Sequence, residues 1–171
     1  MYEEFYSLTD EPFNTTADPK FLYLSKKHEG ALDHLLCGIK RRRGLTVLTG
    51  EIGAGKTTLL NTIVQRLDNK THIAFLAHSQ ISPLDIYKYI FYEFRLHIDV
   101  RGKTGGDLLI ILKDFLMTCE NNGETCVFIV DEAQNLSQDV LEEIRLLLNF
   151  ETYNKKLIQR RLSTFNERLC R

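Results

Sequence analysis

Apolar residues in this chain fall into short solid blocks separated by stretches with helical spacing. The blocks are Leu45, Val47 and Leu48, with threonines at 46 and 49, then Ile73, Ala74, Phe75, Leu76 and Ala77, then Val127, Phe128, Ile129 and Val130. Runs of this length, apolar on successive positions, suit strands covered on both faces of a parallel sheet. Between them, residues 28–39 place Ala31, Leu32, Leu35, Leu36 and Ile39 on one helical face. Residues 58–67 read as a second helix. Ser82 starts a third, with Pro83 at the first helical position and Asp85 as the capping-box partner, and the helix runs through Ile86, Ile90, Phe91 and Phe94. Residues 107–120 form a fourth, with Leu108, Ile111, Leu112, Phe115, Leu116 and Cys119 on its apolar face. Residues 138–150 form a fifth, capped by Ser137 and facing the core with Leu141, Ile144, Leu147 and Leu148. Strands alternating with helices predict an α/β fold with a mostly parallel central sheet flanked by helices.

The connections fit that plan. Gly44 ends the first helix after Lys40, Arg41, Arg42 and Arg43, cations that suit the negative end of a helix dipole. Residues 101–106 form a polar turn, and residues 121–124 another. Residues 1–27 read as an ordered leader, because Phe5, Tyr6, Leu8, Phe13, Phe21, Leu22, Tyr23 and Leu24 supply more apolar mass than a disordered segment holds. Residues 21–24 are placed to help enclose a nucleotide base.

Composition narrows the class. A chain of 171 residues fits one domain, and a net charge of −1 gives no global pull toward nucleic acid or anionic lipid. No apolar run is long enough to span a bilayer, and the acidic start at Glu3 and Glu4 lacks a basic signal region. The expected location is the cytoplasm. Cys37, Cys119, Cys126 and Cys170 match neither a zinc knuckle nor a redox pair, and the histidines at 28, 34, 72, 78 and 97 are scattered. They read as structural thiols and ordinary histidines.

The chemistry lies where the first strand ends. Gly50, Glu51, Ile52, Gly53, Ala54, Gly55, Lys56 and Thr57 fit G-x-x-x-x-G-K-[ST] between a strand and a helix, which is the context a phosphate-binding loop requires. Its glycines let the backbone wrap a phosphate closely, and successive N–H groups make an anion nest. The helix entered through Thr58 adds its own unpaired N–H groups. Lys56 is expected to reach the β- and γ-phosphates of ATP, and Thr57 to offer its hydroxyl to Mg²⁺. The third apolar block ends in Asp131 and Glu132. In an open α/β sheet, ligands sit beyond the C-terminal strand ends, so Asp131 is expected beside the Mg²⁺ held by Thr57. Glu132, one residue further, is the candidate base for the attacking water.

With both halves of this site in hand, the chain resembles the ATPase domain of the general secretion pathway protein A (ExeA-like) family within the AAA+ group. The stretches MYEEFYSLTDEPFNTTADPKFLYLS, HEGALDHLLCGIKRRRGLTVLTGEIGAGKTTLL and VFIVDEAQNLSQDVLEEIRLLLNFET bear the likeness, over residues 1–152. The resemblance implies an ATP-hydrolysing module of a secretion-related assembly machine. Its partners would be copies of itself or other subunits of that machine, and it would lie in the cytoplasm or peripherally at the inner membrane through them. It implies phosphate and Mg²⁺ contacts at Lys56 and Thr57, metal support at Asp131 and water activation at Glu132. Related ATPases work in DNA transposition. The local support for nucleic acid is confined to basic sequence at residues 40–43 and in the tail. A nucleotide-binding regulatory protein with little turnover is a third reading.

The likeness breaks after residue 152. The family follows with a buried strand, a polar sensor and a helical lid. Here Arg160 and Arg161 fall where a central strand should be apolar, and residues 153–171 read as a divergent basic tail. The expectation is a partial AAA+ core over residues 1–171, lacking the usual lid, from an altered or truncated gene. Arg145 and Arg168 are loose candidates for an arginine finger.

Overall fold

A computed structural model of the chain describes residues 5–7, 9, 22–42, 44–77, 80–147, 149–152, 155–156 and 158–164. Strands β1 (Leu45–Thr49), β2 (Thr71–Leu76), β3 (Thr125–Val130) and β6 (Ile158–Thr164) form one sheet in the order β1-β6-β3-β2. Every pairing within it is parallel. A small antiparallel ladder joins β4 (Glu151–Thr152) to β5 (Lys155–Lys156). The helices are α1 (Lys26–Lys40), α2 (Lys56–Arg66), α3 (Pro83–Glu93), α4 (Gly105–Asn121) and α5 (Gln138–Leu147).

Alternation along β3 divides the core into two layers. Cys126, Phe128 and Val130 belong to the layer that holds Ile86 and Ile90 of α3, Leu112 and Leu116 of α4 and Ile144 of α5. Val127 and Ile129 face the other way, among Leu32, Leu35 and Ile39 of α1 and Leu59, Leu60 and Ile63 of α2. Successive strand residues point to opposite faces, so an apolar run is what a strand covered on both sides requires. Phe128 is fully buried. Its replacement by alanine is expected to destabilise the fold by about 3–5 kcal/mol, read as a lower denaturation midpoint at unchanged slope.

Strand β6 lies within the expected basic tail. Ile158–Thr164 lies between β1 and β3 in the middle of the sheet. Arg160 and Arg161 stand opposite Leu45 and Thr46 on one side and opposite Phe128 and Ile129 on the other. Two basic residues in succession therefore do not keep this segment out of a central position. Without it, the facing edges of β1 and β3 would have no ladder partner, and unpaired backbone groups cost too much inside a sheet. Pairing on both sides outweighs the poor local pattern.

Local signals set the helix starts. Ser25 caps α1 by accepting from the His28 amide at 3.3 Å. Ser82 caps α3, with Pro83 first in the helix as expected. Helix α4 begins at Gly105, inside the predicted polar turn. Thr104 accepts from the Asp107 amide at 3.3 Å, and the Asp107 carboxylate accepts from the Thr104 amide at 2.8 Å. That reciprocal pair satisfies two otherwise unpaired donors. Helix α5 does not reach the expected 150, since Asn149 lies in a turn.

The basic run after α1 has a structural use. The helix ends at Lys40, and Arg42 takes a left-handed conformation with φ 51°. Its guanidinium donates to the Glu124 carbonyl at 3.0 Å and pairs with Glu120. Arg42 thus ties the end of α1 to the turn between α4 and β3. Among the described residues, no helix is long and apolar enough to cross a membrane.

Candidate functional site

Because the sheet is parallel, β1 and β3 deliver their following loops to the same edge. Residues 50–55 leave β1 and enter α2 there, and Asp131 and Glu132 leave β3 there. Gly53 and Gly55 both have φ 76°, in the left-handed region that favours glycine. Gly55 is the residue before α2, and no side chain caps that helix. The first helical N–H groups are therefore left for an anion.

A cavity of about 520 Å³ opens over this edge. Ile52, Gly53, Gly55, Lys56, Thr57 and Thr58 form one wall, and Glu132 with Gln134 and Asn135 forms the other. Lys56 folds back over the loop. Its Nζ donates to the carbonyls of Gly50 at 3.0 Å and Glu51 at 2.9 Å. Gly50 and Glu51 thus enter the site through their backbone, and the Ala54 amide closes the turn on the Glu51 carbonyl at 3.2 Å.

The two predicted halves meet directly. The Thr57 hydroxyl donates to Asp131 Oδ2 at 2.7 Å, across 74 residues of sequence. Asp131 is only 8% exposed, and its other oxygen accepts from the Glu132 amide at 3.0 Å. The buried carboxylate is thus hydrogen-bonded through both oxygens. A hydroxyl and a carboxylate side by side are hard oxygen donors, the set that Mg²⁺ takes alongside water and phosphate. The donor set fits the expected ion.

Glu132 follows with φ 51°, an uncommon conformation for a residue with a side chain. This backbone turn carries the chain from β3 into the short 3₁₀ segment Ala133–Asn135. The Glu132 carboxylate accepts from the Gln134 amide group and borders the cavity. The Glu132 carboxylate and Lys56 thus line one cavity.

His28, an ordinary histidine by sequence, also belongs to the site. Its ring is held between Ser25 Oγ, 3.0 Å from Nδ1, and the Ala54 carbonyl, 3.0 Å from Nε2. The network assigns the proton to Nε2, so that the ring donates to the loop carbonyl and accepts from the serine. His28 braces the loop from outside. The signal was a histidine three residues after a cap serine, and nothing local shows that it reaches a loop 26 residues away. His28→Ala is expected to weaken ATP binding about five- to tenfold, the loss of one hydrogen bond of about 1 kcal/mol. A binding titration with the variant checks it.

Of the other expectations, Phe21, Arg43 and Arg168 lie outside the described residues. Tyr23 is 84% exposed, and half-buried Leu22 packs against the core layer that holds Leu32 and Leu59. Arg145 pairs with Glu142 at 2.6 Å and does not border the cavity.

A parallel sheet with this loop, a helix behind it and an acidic pair on a neighbouring strand end defines a P-loop NTPase fold. Among solved structures, the chain is similar to Cdc6p from Pyrobaculum aerophilum, with TM-score 0.73 and 21% identity over 92% of this chain and 43% of that one. It is also similar to an Aeropyrum pernix ORC2 protein, determined as ADPNP and ADP complexes, with TM-score 0.67 and 19% identity over 92% of this chain and 45% of that one. At those identities the likeness shows the fold. The chain belongs to the AAA domain family, whose model matches residues 39–165. It is 40% identical over 161 residues to General secretion pathway protein A of Aeromonas hydrophila, across 93% of this chain. The chain spans 29% of the length of that relative.

Proposed function

We propose that the chain binds Mg-ATP in the cavity between residues 50–58 and residues 131–135, and hydrolyses it as one module of a larger assembly. The observation that carries this reading is the Thr57–Asp131 hydrogen bond, which joins the phosphate-loop helix to the acidic strand end beside a cavity lined by Thr57, Lys56 and Glu132. Gly50, Glu51, Ile52, Gly53, Ala54 and Gly55 shape the phosphate cradle. Lys56 and the amides around Thr57 and Thr58 hold phosphate oxygens. Thr57 and Asp131 would hold Mg²⁺, which would offset phosphate charge there. Glu132 takes a proton from the attacking water, within reach of the cavity centre.

Among the described residues, the cavity lining includes one cation, Lys56. Phosphoryl transfer spreads negative charge over the transferred group, and arginine supplied from a neighbour is a common source of the missing positive charge. That favours turnover in an assembly, with copies of this chain or with other subunits. By similarity to General secretion pathway protein A, the work done is assigned to a secretion machine, with the chain in the cytoplasm or at the inner membrane through partners. Residues 1–171 are then the nucleotide-binding core of that module, with residues 1–27 as its leader.

Turnover per chain should rise with protein concentration as copies associate, and it should vanish in Thr57→Ala. Turnover that stays undetectable at every concentration, alongside intact Mg-ATP binding, would favour the regulatory reading with little hydrolysis. The transposition reading requires duplex DNA to bind in a salt-sensitive way.

A further inference from the structure

The end of the sheet opposite the nucleotide cavity gathers three groups that the sequence scatters. His72 is the second residue of β2, and Cys126, its neighbour across the sheet, is the second residue of β3. Cys119 sits near the end of α4, and Glu124 sits in the turn that follows. A ligand atom from each of His72, Cys119 and Glu124 lies within 4.8 Å of the other two. His72 Nε2 is 2.7 Å from Glu124 Oε2. These strands are six residues long, so the cluster lies roughly 15–20 Å from Asp131.

We propose that His72 Nε2, Cys119 Sγ and the Glu124 carboxylate bind one thiophilic divalent cation of the zinc type, as a structural site separate from the Mg-ATP cavity.

The donor set selects the ion. An imidazole, a thiolate and a carboxylate suit zinc, whereas Mg²⁺ and Ca²⁺ prefer oxygen alone. The three groups are already positioned. The His72 ring is wedged edge-on against Phe94 and Phe115, with centroids 6.1 and 5.5 Å away. Glu124 is fixed at both backbone ends, since its amide donates to the Cys119 carbonyl at 2.8 Å and its carbonyl accepts from Arg42 at 3.0 Å. Cys119 is buried, while His72 and Glu124 are each about one-third exposed, at 32% and 31%. Solvent thus reaches one side of the site, where a water completes four-coordination.

The charges also balance. A dication, one thiolate and one carboxylate sum to zero with a neutral imidazole, which suits a half-buried position. On binding, the Cys119 S–H bond breaks, its proton leaves to solvent and the sulfur lone pair bonds the metal. Burial pushes this thiol up to about 11, so the ion must displace a proton the free protein retains. The Cys126 thiol lies beside Cys119 and shares a hydrogen bond with it. Bound metal would pin the end of α4 to the starts of β2 and β3.

The test is a Co²⁺ titration of the full chain, kept reduced with a non-chelating phosphine and with excess Mg²⁺ to occupy oxygen-only sites. The expected result is one Co²⁺ per chain, with tetrahedral absorption and a thiolate-to-metal charge-transfer band that zinc abolishes by displacement. Cys119→Ser should remove that band. His72→Gln, at a partly exposed residue, should weaken binding more than tenfold while leaving the circular dichroism unchanged. The absence of a charge-transfer band in the native chain would overturn the proposal. So would a band that persists in Cys119→Ser, or a folded His72→Gln variant that binds Co²⁺ as tightly as the native chain.

Discussion

Lys56→Ala is expected to weaken ATP binding by about a hundredfold or more and to leave no measurable hydrolysis. A hydrogen bond to a charged group contributes about 1.5–3 kcal/mol, and the lysine is positioned to make more than one to phosphate oxygens. Its present partners support this use. Nζ donates to the carbonyls of Gly50 and Glu51, neutral acceptors that charged phosphate oxygens can replace. The same two contacts tether the loop in the free chain. Some loss of order at residues 50–55 should therefore accompany the loss of charge. The core behind it, with Leu59, Leu60 and Ile63 buried, is untouched. Thermal unfolding should shift little in the absence of nucleotide, and the stabilisation that ATP gives the native chain should disappear. An unchanged dissociation constant would remove Lys56 from the site.

Glu132→Gln should separate binding from chemistry. Glutamine matches glutamate in size and keeps an oxygen to accept from the Gln134 amide. It carries no more backbone penalty at φ 51° than glutamate does. Affinity for Mg-ATP should therefore change by less than about threefold, the reach of a small change in hydrogen bonding. Turnover should fall by about 10²–10⁴-fold, the usual contribution of a positioned base. Single-turnover measurements beside a binding titration make the comparison. A parallel fall in affinity and rate would mean that Glu132 shapes the loop and does not activate water.

The residues of the cavity were legible because their chemistry is written locally. A phosphate loop needs its glycines, lysine and threonine consecutive in sequence, and the strand before Asp131 announces itself by four apolar residues in a row. Parallel pairing then forces both ends to one edge, so the Thr57–Asp131 contact could be anticipated without coordinates. What could not be read depends on distant partners. His28 looks like any helix residue until Ala54 comes to rest against it. His72, Cys119 and Glu124 follow no recognised ligand spacing, because three separate elements supply them.

Strand β6 shows the opposite failure. Arg160 and Arg161 break the expected apolar pattern, yet the segment pairs on both sides in the middle of the sheet. Local pattern estimates how well side chains suit a covered strand. It does not weigh the backbone groups of β1 and β3 that would otherwise lack partners. The start of α4 was misplaced for a simpler reason. Gly105 and Gly106 suggest a turn, but the Thr104–Asp107 capping box starts the helix ahead of them.

The most direct measurement is an isothermal titration of ATP into the chain with and without Mg²⁺. One site per chain, with affinity that strengthens when Mg²⁺ is present and collapses in Thr57→Ala, is the predicted result. The absence of saturable binding under either condition, from a folded chain, would contradict the account.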